Sequence, residues 1–170
     1  MKCETLDKNI FIEVFYTDDT AAYKFDSTVI KRMKNPFHVL VIKAPLEIKR
    51  IQRRNFFRLD IMRKVNYCII NSSGEQKTKF KKSYLLDISG GGIKLKVDEK
   101  MQTGIFLRLY LDIDGIKEIP VKGRVVRFYK NHQGNKAVGI EFVHLNTGVR
   151  DTIVGWIFEK QAEMRKKGII

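Results

Sequence analysis

Apolar and polar residues alternate along most of this chain with a period of two, the pattern of strands that bury one face. Phe11-Ile12-Glu13-Val14-Phe15-Tyr16 is the first such run, and Thr17-Asp18-Asp19-Thr20 ends it. Tyr23–Ile30 and Phe37–Ile42 follow, the latter after the breaker Asn35-Pro36. Ala44-Pro45-Leu46-Glu47-Ile48-Lys49-Arg50 is short and marked by proline, so it reads as a connection between two units. Beyond it the alternation predicts strands at Phe57–Val65, Cys68–Ile70, Lys79–Leu86, Gly92–Val97, Ile105–Leu111, Lys117–Tyr129 and Lys136–Phe142. Asn71-Ser72-Ser73-Gly74 and Asn131-His132-Gln133-Gly134-Asn135 are turn signals. Ile93, Leu95 and Val97 should face inward, with Lys94 and Lys96 in water.

The period changes near the end. Val149, Ile153, Trp156, Ile157 and Lys160 recur at helical spacing, which predicts one amphipathic helix with Trp156 in the core. Asn146 or Thr147 can cap its start and Asp151 suits its first turns, while Arg165, Lys166 and Lys167 suit its C-terminal dipole. Many short strands separated by turns favour a barrel or sandwich over alternating βαβ units. The expected fold class is mainly β, with a C-terminal α-helix and a small β-rich N-terminal region.

Length and composition narrow this further. A chain of 170 residues with 44% hydrophobic side chains can build one domain, or a small one and part of another. Thirty-three Lys and Arg against 19 Asp and Glu leave a formal charge of +14, a field that attracts anions. Between Lys31 and Arg58 nine basic residues meet a single acid, Glu47, so the excess is concentrated there. Cys3 and Cys68 have no ligand spacing. There is no apolar leader and no run long enough to span a bilayer, so a cytoplasmic protein with reduced thiols is expected. His38, His132 and His144 are scattered, and no P-loop or nucleophile elbow appears. Asp112 and Asp114 beside Gly115 read as a turn. The expectation is a protein that is not an enzyme and holds no metal or cofactor.

Two elements carry candidate chemistry. Arg50, Arg53, Arg54 and Arg58 fall within nine residues. Guanidinium forks bind phosphate bidentately, reach the O6/N7 edge of guanine, and stack on bases. Phe56 and Phe57 read as anchors to the core rather than ligand contacts. The second element is Asp87-Ile88-Ser89-Gly90-Gly91-Gly92. Asp87 and Ser89, two apart, lie on one face of a strand end. A carboxylate accepts from guanine N1–H and N2–H₂, a donor pair adenine lacks. The glycines allow positive φ and close backbone approach to a flat ligand.

Gln52-Arg53-Arg54-x-x-x-Arg58 followed by Asp87-x-Ser89-x-x-Gly92 resembles the PilZ domain, a receptor for cyclic di-GMP. The resemblance runs from Gln52 to about Lys160 and includes Gly123-Arg124-Val125-Val126 and Ala137-Val138-Gly139-Ile140-Glu141-Phe142. It implies a six-stranded split barrel over 52–165 with a C-terminal helix. It also implies that Arg54 and Arg58 wrap phosphates and guanines, while Asp87, Ser89, Gly91 and Gly92 hold a guanine. Upstream, Tyr23-x-Phe25, Phe37–Ile42 and Pro45-x-x-Ile48 are similar to the second half of a flagellar-brake N-terminal domain, which is normally longer than residues 1–48. That similarity implies a flagellar motor protein as partner. Residues 49–56 then form a switch linker carrying the arginines. Arg53 adds a third fork, with Arg50 and Gln52 nearby, so a stacked pair of ligands is expected. The alternative is a basic β-barrel binding single-stranded nucleic acid through Phe11, Phe15, Tyr16, Lys77, Lys79, Lys81 and Lys82.

Overall fold

The computed structural model describes residues 9–18, 21–34 and 37–169. Cys3, the Asn35-Pro36 breaker and the Asp19-Thr20 end of the first turn lie outside the described residues. The chain divides into two units, 1–55 and 56–170.

The first unit is a four-stranded sheet. β1 (Phe11–Thr17) and β2 (Ala22–Met33) pair antiparallel from Phe11↔Thr28 to Thr17↔Ala22. On the other edge of β2, β3 (Val39–Ile42) pairs with its last residues and β4 (Lys49–Ile51) with its first, Ala22↔Ile51 to Lys24↔Lys49. The expected connection at Ala44–Arg50 is therefore shorter, because Lys49 and Arg50 find backbone partners that no local pattern advertises. Among the described residues of this unit, Ser27 and Val29 alone are buried.

The second unit is a closed antiparallel barrel of six strands in the order β10-β7-β6-β5-β8-β9. These are β5 (Arg58–Ile70), β6 (Lys81–Ser89), β7 (Gly92–Val97), β8 (Phe106–Leu111), β9 (Val121–Lys130) and β10 (Lys136–Phe142). The two strands expected at Phe57–Val65 and Cys68–Ile70 are one. Asn66 pairs with Lys82 on one side and Tyr110 on the other, and Tyr67 with Lys81 and Leu109, so two-sided pairing overrides the weak strand propensity of Asn66. The run expected at Lys117–Tyr129 is a strand only from Val121. Before it, the chain turns through Gly115 (φ 86°) and buries Ile113 and Ile116, and Pro120, which has no N–H to give, stands just outside the ladder.

The barrel interior is filled by Leu85, Ile88, Leu95, Leu107, Leu109 and Leu111 with their neighbours, and helix α1 (Thr147–Lys166) adds Ile153, Trp156 and Ile157 to the same cluster. Trp156 is thus a core residue, as its spacing implied. Asn146 caps the helix by accepting from the Gly148 N–H at 2.8 Å. The first turn holds no acid: Asp151 lies just past it, and Arg150 occupies it instead. No helix among the described residues is long and apolar enough to cross a membrane.

Candidate functional site

Within the barrel, Arg58 opens β5 directly across from Ser89 at the end of β6, with Leu59 across from Ile88 and Asp60 across from Asp87. The second sequence element is therefore side by side with Arg58, brought there by strand pairing across about thirty residues of chain.

A bulge sets the aim of Asp87. Leu85 pairs with Leu95 and Asp87 with Lys94, leaving Leu86 unpaired in between, while on the other side Ile61 and Met62 are out of register. The extra residue lets Leu85 and Ile88, three apart, both point into the core with no exposure. Asp87 and Ser89 consequently share the opposite face, as expected. Burial raises the Asp87 carboxyl above the ordinary carboxylate range. The Arg58 and Lys94 cations pull it back, Asp60 pushes it up, and a backbone bond from Lys94 lowers it slightly. The result is a half-buried carboxylate poised for a partner that brings N–H donors.

Ser89 is buried, and its hydroxyl already has partners. It donates to the Gly92 carbonyl at 3.2 Å and accepts from the Gly91 N–H at 3.4 Å, closing the β6–β7 turn.

The glycines differ from the expectation. None of Gly90, Gly91 and Gly92 has positive φ. Their missing side chains make room for other parts of the barrel. A Cβ on Gly90 would stand 2.7 Å from Phe56 Cδ1 and 2.9 Å from Val154 Cγ2, and one on Gly91 would stand 3.2 Å from the Phe56 ring. A Cβ on Gly92 would collide with the Ile140 carbonyl oxygen of β10. The close approach is real, but it is to the protein itself.

Phe56 thus anchors, as expected, whereas Phe57 is half-exposed. The guanidinium of Arg150 lies 5.6 Å from the centre of the Phe56 ring. Lys94, Asp60 and Arg150 were not legible as site neighbours, since cross-strand and helix contacts leave no local pattern. Only Arg150 carried a signal, as a cation in a helix first turn, where the dipole disfavours it.

In the first unit, Arg50 lies on β4 opposite Tyr23. Gln52, Arg53 and Arg54 follow on an exposed stretch without regular structure, and Arg53 stacks 4.4 Å from the Phe15 ring centre. Among the described residues no group of His, Cys, Asp and Glu is placed to hold a metal ion.

Comparison with known proteins agrees with this architecture. The model described as PilZ domain matches residues 52–159, more than half of the chain, and the one described as flagellar protein YcgR matches residues 4–45. The Bacillus subtilis inhibitor of motility MotI/DgrA is similar in structure, with a TM-score of 0.74 at 20% identity over 95% of this chain and 78% of that one. Escherichia coli YcgR in complex with c-di-GMP gives 0.59 at 16% identity, covering 93% and 68%. The K. pneumonia MrkH–c-di-GMP complex gives 0.56 at 15%, covering 98% and 78%. No curated protein sequence matches the chain.

Proposed function

Since the chain belongs to the PilZ domain family, we propose that it is a noncatalytic cytoplasmic receptor for cyclic di-GMP that regulates flagellar motility or a related surface behaviour. The observation that carries this reading is the pairing of Arg58 with the Asp87–Gly92 turn, which sets a guanidinium fork beside a half-buried carboxylate. Arg54 and Arg58 clamp phosphate and guanine edges, and Asp87 accepts from guanine N1–H and N2–H₂. Ser89, Gly91 and Gly92 shape the turn that receives the base. Arg53, with Arg50 and Gln52, supplies contacts for a second, stacked ligand. Support also comes from the similar folds, two solved with c-di-GMP and one named for inhibiting motility.

Transmission follows from charge. Arg50, Arg53, Arg54 and Arg58 repel one another, and an anionic ligand removes that repulsion and orders Gln52, Arg53 and Arg54. The N-terminal region then reorients, and a flagellar motor protein reads the change. Calorimetric titration tests the core of this reading. Cyclic di-GMP should saturate at two per chain, and Arg54→Ala or Arg58→Ala should each cost about 1.5–3 kcal/mol of binding for a charged hydrogen bond. A linear dinucleotide should bind more weakly. Undiminished affinity in both variants overturns the assignment.

A second reading rests on the outer wall of the barrel. Lys64, Lys82, Tyr84, Tyr110 and Lys117, with Asp112 and Glu118 among them, line a groove of about 510 Å³ there, and Phe80 leans on Tyr110 at 5.6 Å. Rings among lysines are the makings of a single-strand platform. That reading requires oligonucleotide binding whose affinity falls steeply with salt.

A further inference from the structure

We infer that Phe56 is the positioning residue of the ligand site: its ring, seated on the Gly90–Gly91 turn under Arg150, holds the arginine-bearing stretch at the second motif. The inference rests on the cyclic di-GMP reading above and deepens it.

Phe56 lies midway between Arg54 and Arg58 in the chain. Its ring occupies the space that side chains at positions 90 and 91 would fill, with Val154 of α1 closing one side. A residue between two ligand-clamping arginines is thus docked on the turn that receives the base. Two peptide units span at most about 7 Å, so a docked ring limits how far Arg54 can stray from Asp87.

The helix supplies the other half of the seat. Arg150 sits in the first turn of α1, against the helix dipole, and its Nε is buried without a hydrogen-bond partner. Both features are costs to the helix. The contact they accompany is the guanidinium over the Phe56 ring, a cation–π pair. Gly90 and Gly91, Phe56, and Arg150 therefore form one stack that joins the first motif, the second motif and α1. Without the ring, the stretch from Gln52 to Phe57 must be ordered by the ligand alone, which lowers affinity although every charged group is still present.

A double-mutant cycle read by titration with cyclic di-GMP tests this. Phe56→Ala should weaken binding on the order of tenfold, the effect of leaving several residues to be ordered on binding, and Phe56→Tyr, which keeps the ring, should restore most of it. Gly91→Ala, whose Cβ meets nothing but Phe56 within 4 Å, should weaken binding in the wild-type background and cost nothing further in Phe56→Ala. Equal cost in both backgrounds would mean that Gly91 acts on the ligand directly, and would overturn the inference, as would wild-type affinity in Phe56→Ala. Mass-mapped limited trypsinolysis without ligand gives a second measurement. Cleavage after Arg53 and Arg54 should be faster in Phe56→Ala than in wild type, and an unchanged rate overturns the inference whether or not the ligand binds. Failure of the wild-type protein to bind cyclic di-GMP would instead remove the reading on which the ligand part rests.

Discussion

In the barrel, Leu95, Leu107 and Leu109 have no exposure, whereas in the N-terminal sheet Phe11 is 69% exposed, Ile30 52% and Phe15 47%. Both regions alternate apolar and polar residues, so the difference lies in closure. Six strands closed on themselves leave no free edge and enclose one interior, which the helix completes with Ile153, Trp156 and Ile157. The four-stranded sheet has no second layer among the described residues, and Phe11, Phe15 and Ile30 meet solvent. Alternation says which residues share a face, and only closure decides whether that face is buried. The candidate site residues are divided by the same contrast. The well-packed unit holds Arg58, Asp87 and Ser89 in fixed register, while Arg53 and Arg54 sit on an exposed stretch in the lightly packed one.

The largest test of this contrast applies the same kind of truncation to both regions. Leu109→Ala should cost about 2–5 kcal/mol of stability, and Phe11→Ala should stay within about 0.5 kcal/mol, both read by urea unfolding. Comparable losses would break the comparison. A smaller test concerns the barrel seam. Gly92→Ala sets a methyl against the Ile140 carbonyl and should cost about 1–3 kcal/mol. An unchanged denaturation midpoint would show that β7 and β10 can part there without loss.

The smallest effect sharpens the idea that the rigid unit bears a cost for its site. The folded protein holds the Asp87 proton more tightly than the unfolded chain does, chiefly because the carboxyl is partly buried. Stability due to neutral Asp87 is therefore lost as pH rises through the carboxylate range, and above that range the ionised group is a net cost. Asp87→Asn should raise the thermal midpoint at pH 7, and the gain should shrink at acidic pH. Thermal melts at both pH values check the sign, and a gain that grows on acidification contradicts it. The same variant should lose affinity for a guanine ligand.

Much of the candidate site is legible in the sequence because its proposed chemistry depends on residue type. Arginine forks and a carboxylate two residues from a serine mean much the same wherever the chain takes them. Less readable was what each group would touch. Ser89 offers a hydroxyl on paper, yet its hydroxyl closes the turn. The glycines suggested unusual backbone angles, yet they are empty space for Phe56, Val154 and Ile140. A glycine marks an absent side chain without indicating what fills the gap. Asn66 and Tyr67 interrupted the pattern locally, and two neighbouring strands restored it.

By itself the sequence determined the mainly β class, the C-terminal helix with its Asn146 cap and buried Trp156, and the two motifs with their spacing. Those follow from periodicity, capping and residue chemistry, which are local. The tertiary structure alone decided the bulge at Leu86 that aims Asp87, the Lys94 and Asp60 charges around it, and the seating of Phe56 on Gly90 and Gly91 under Arg150. These are contacts between residues far apart in the chain, and they exist only once the barrel has closed.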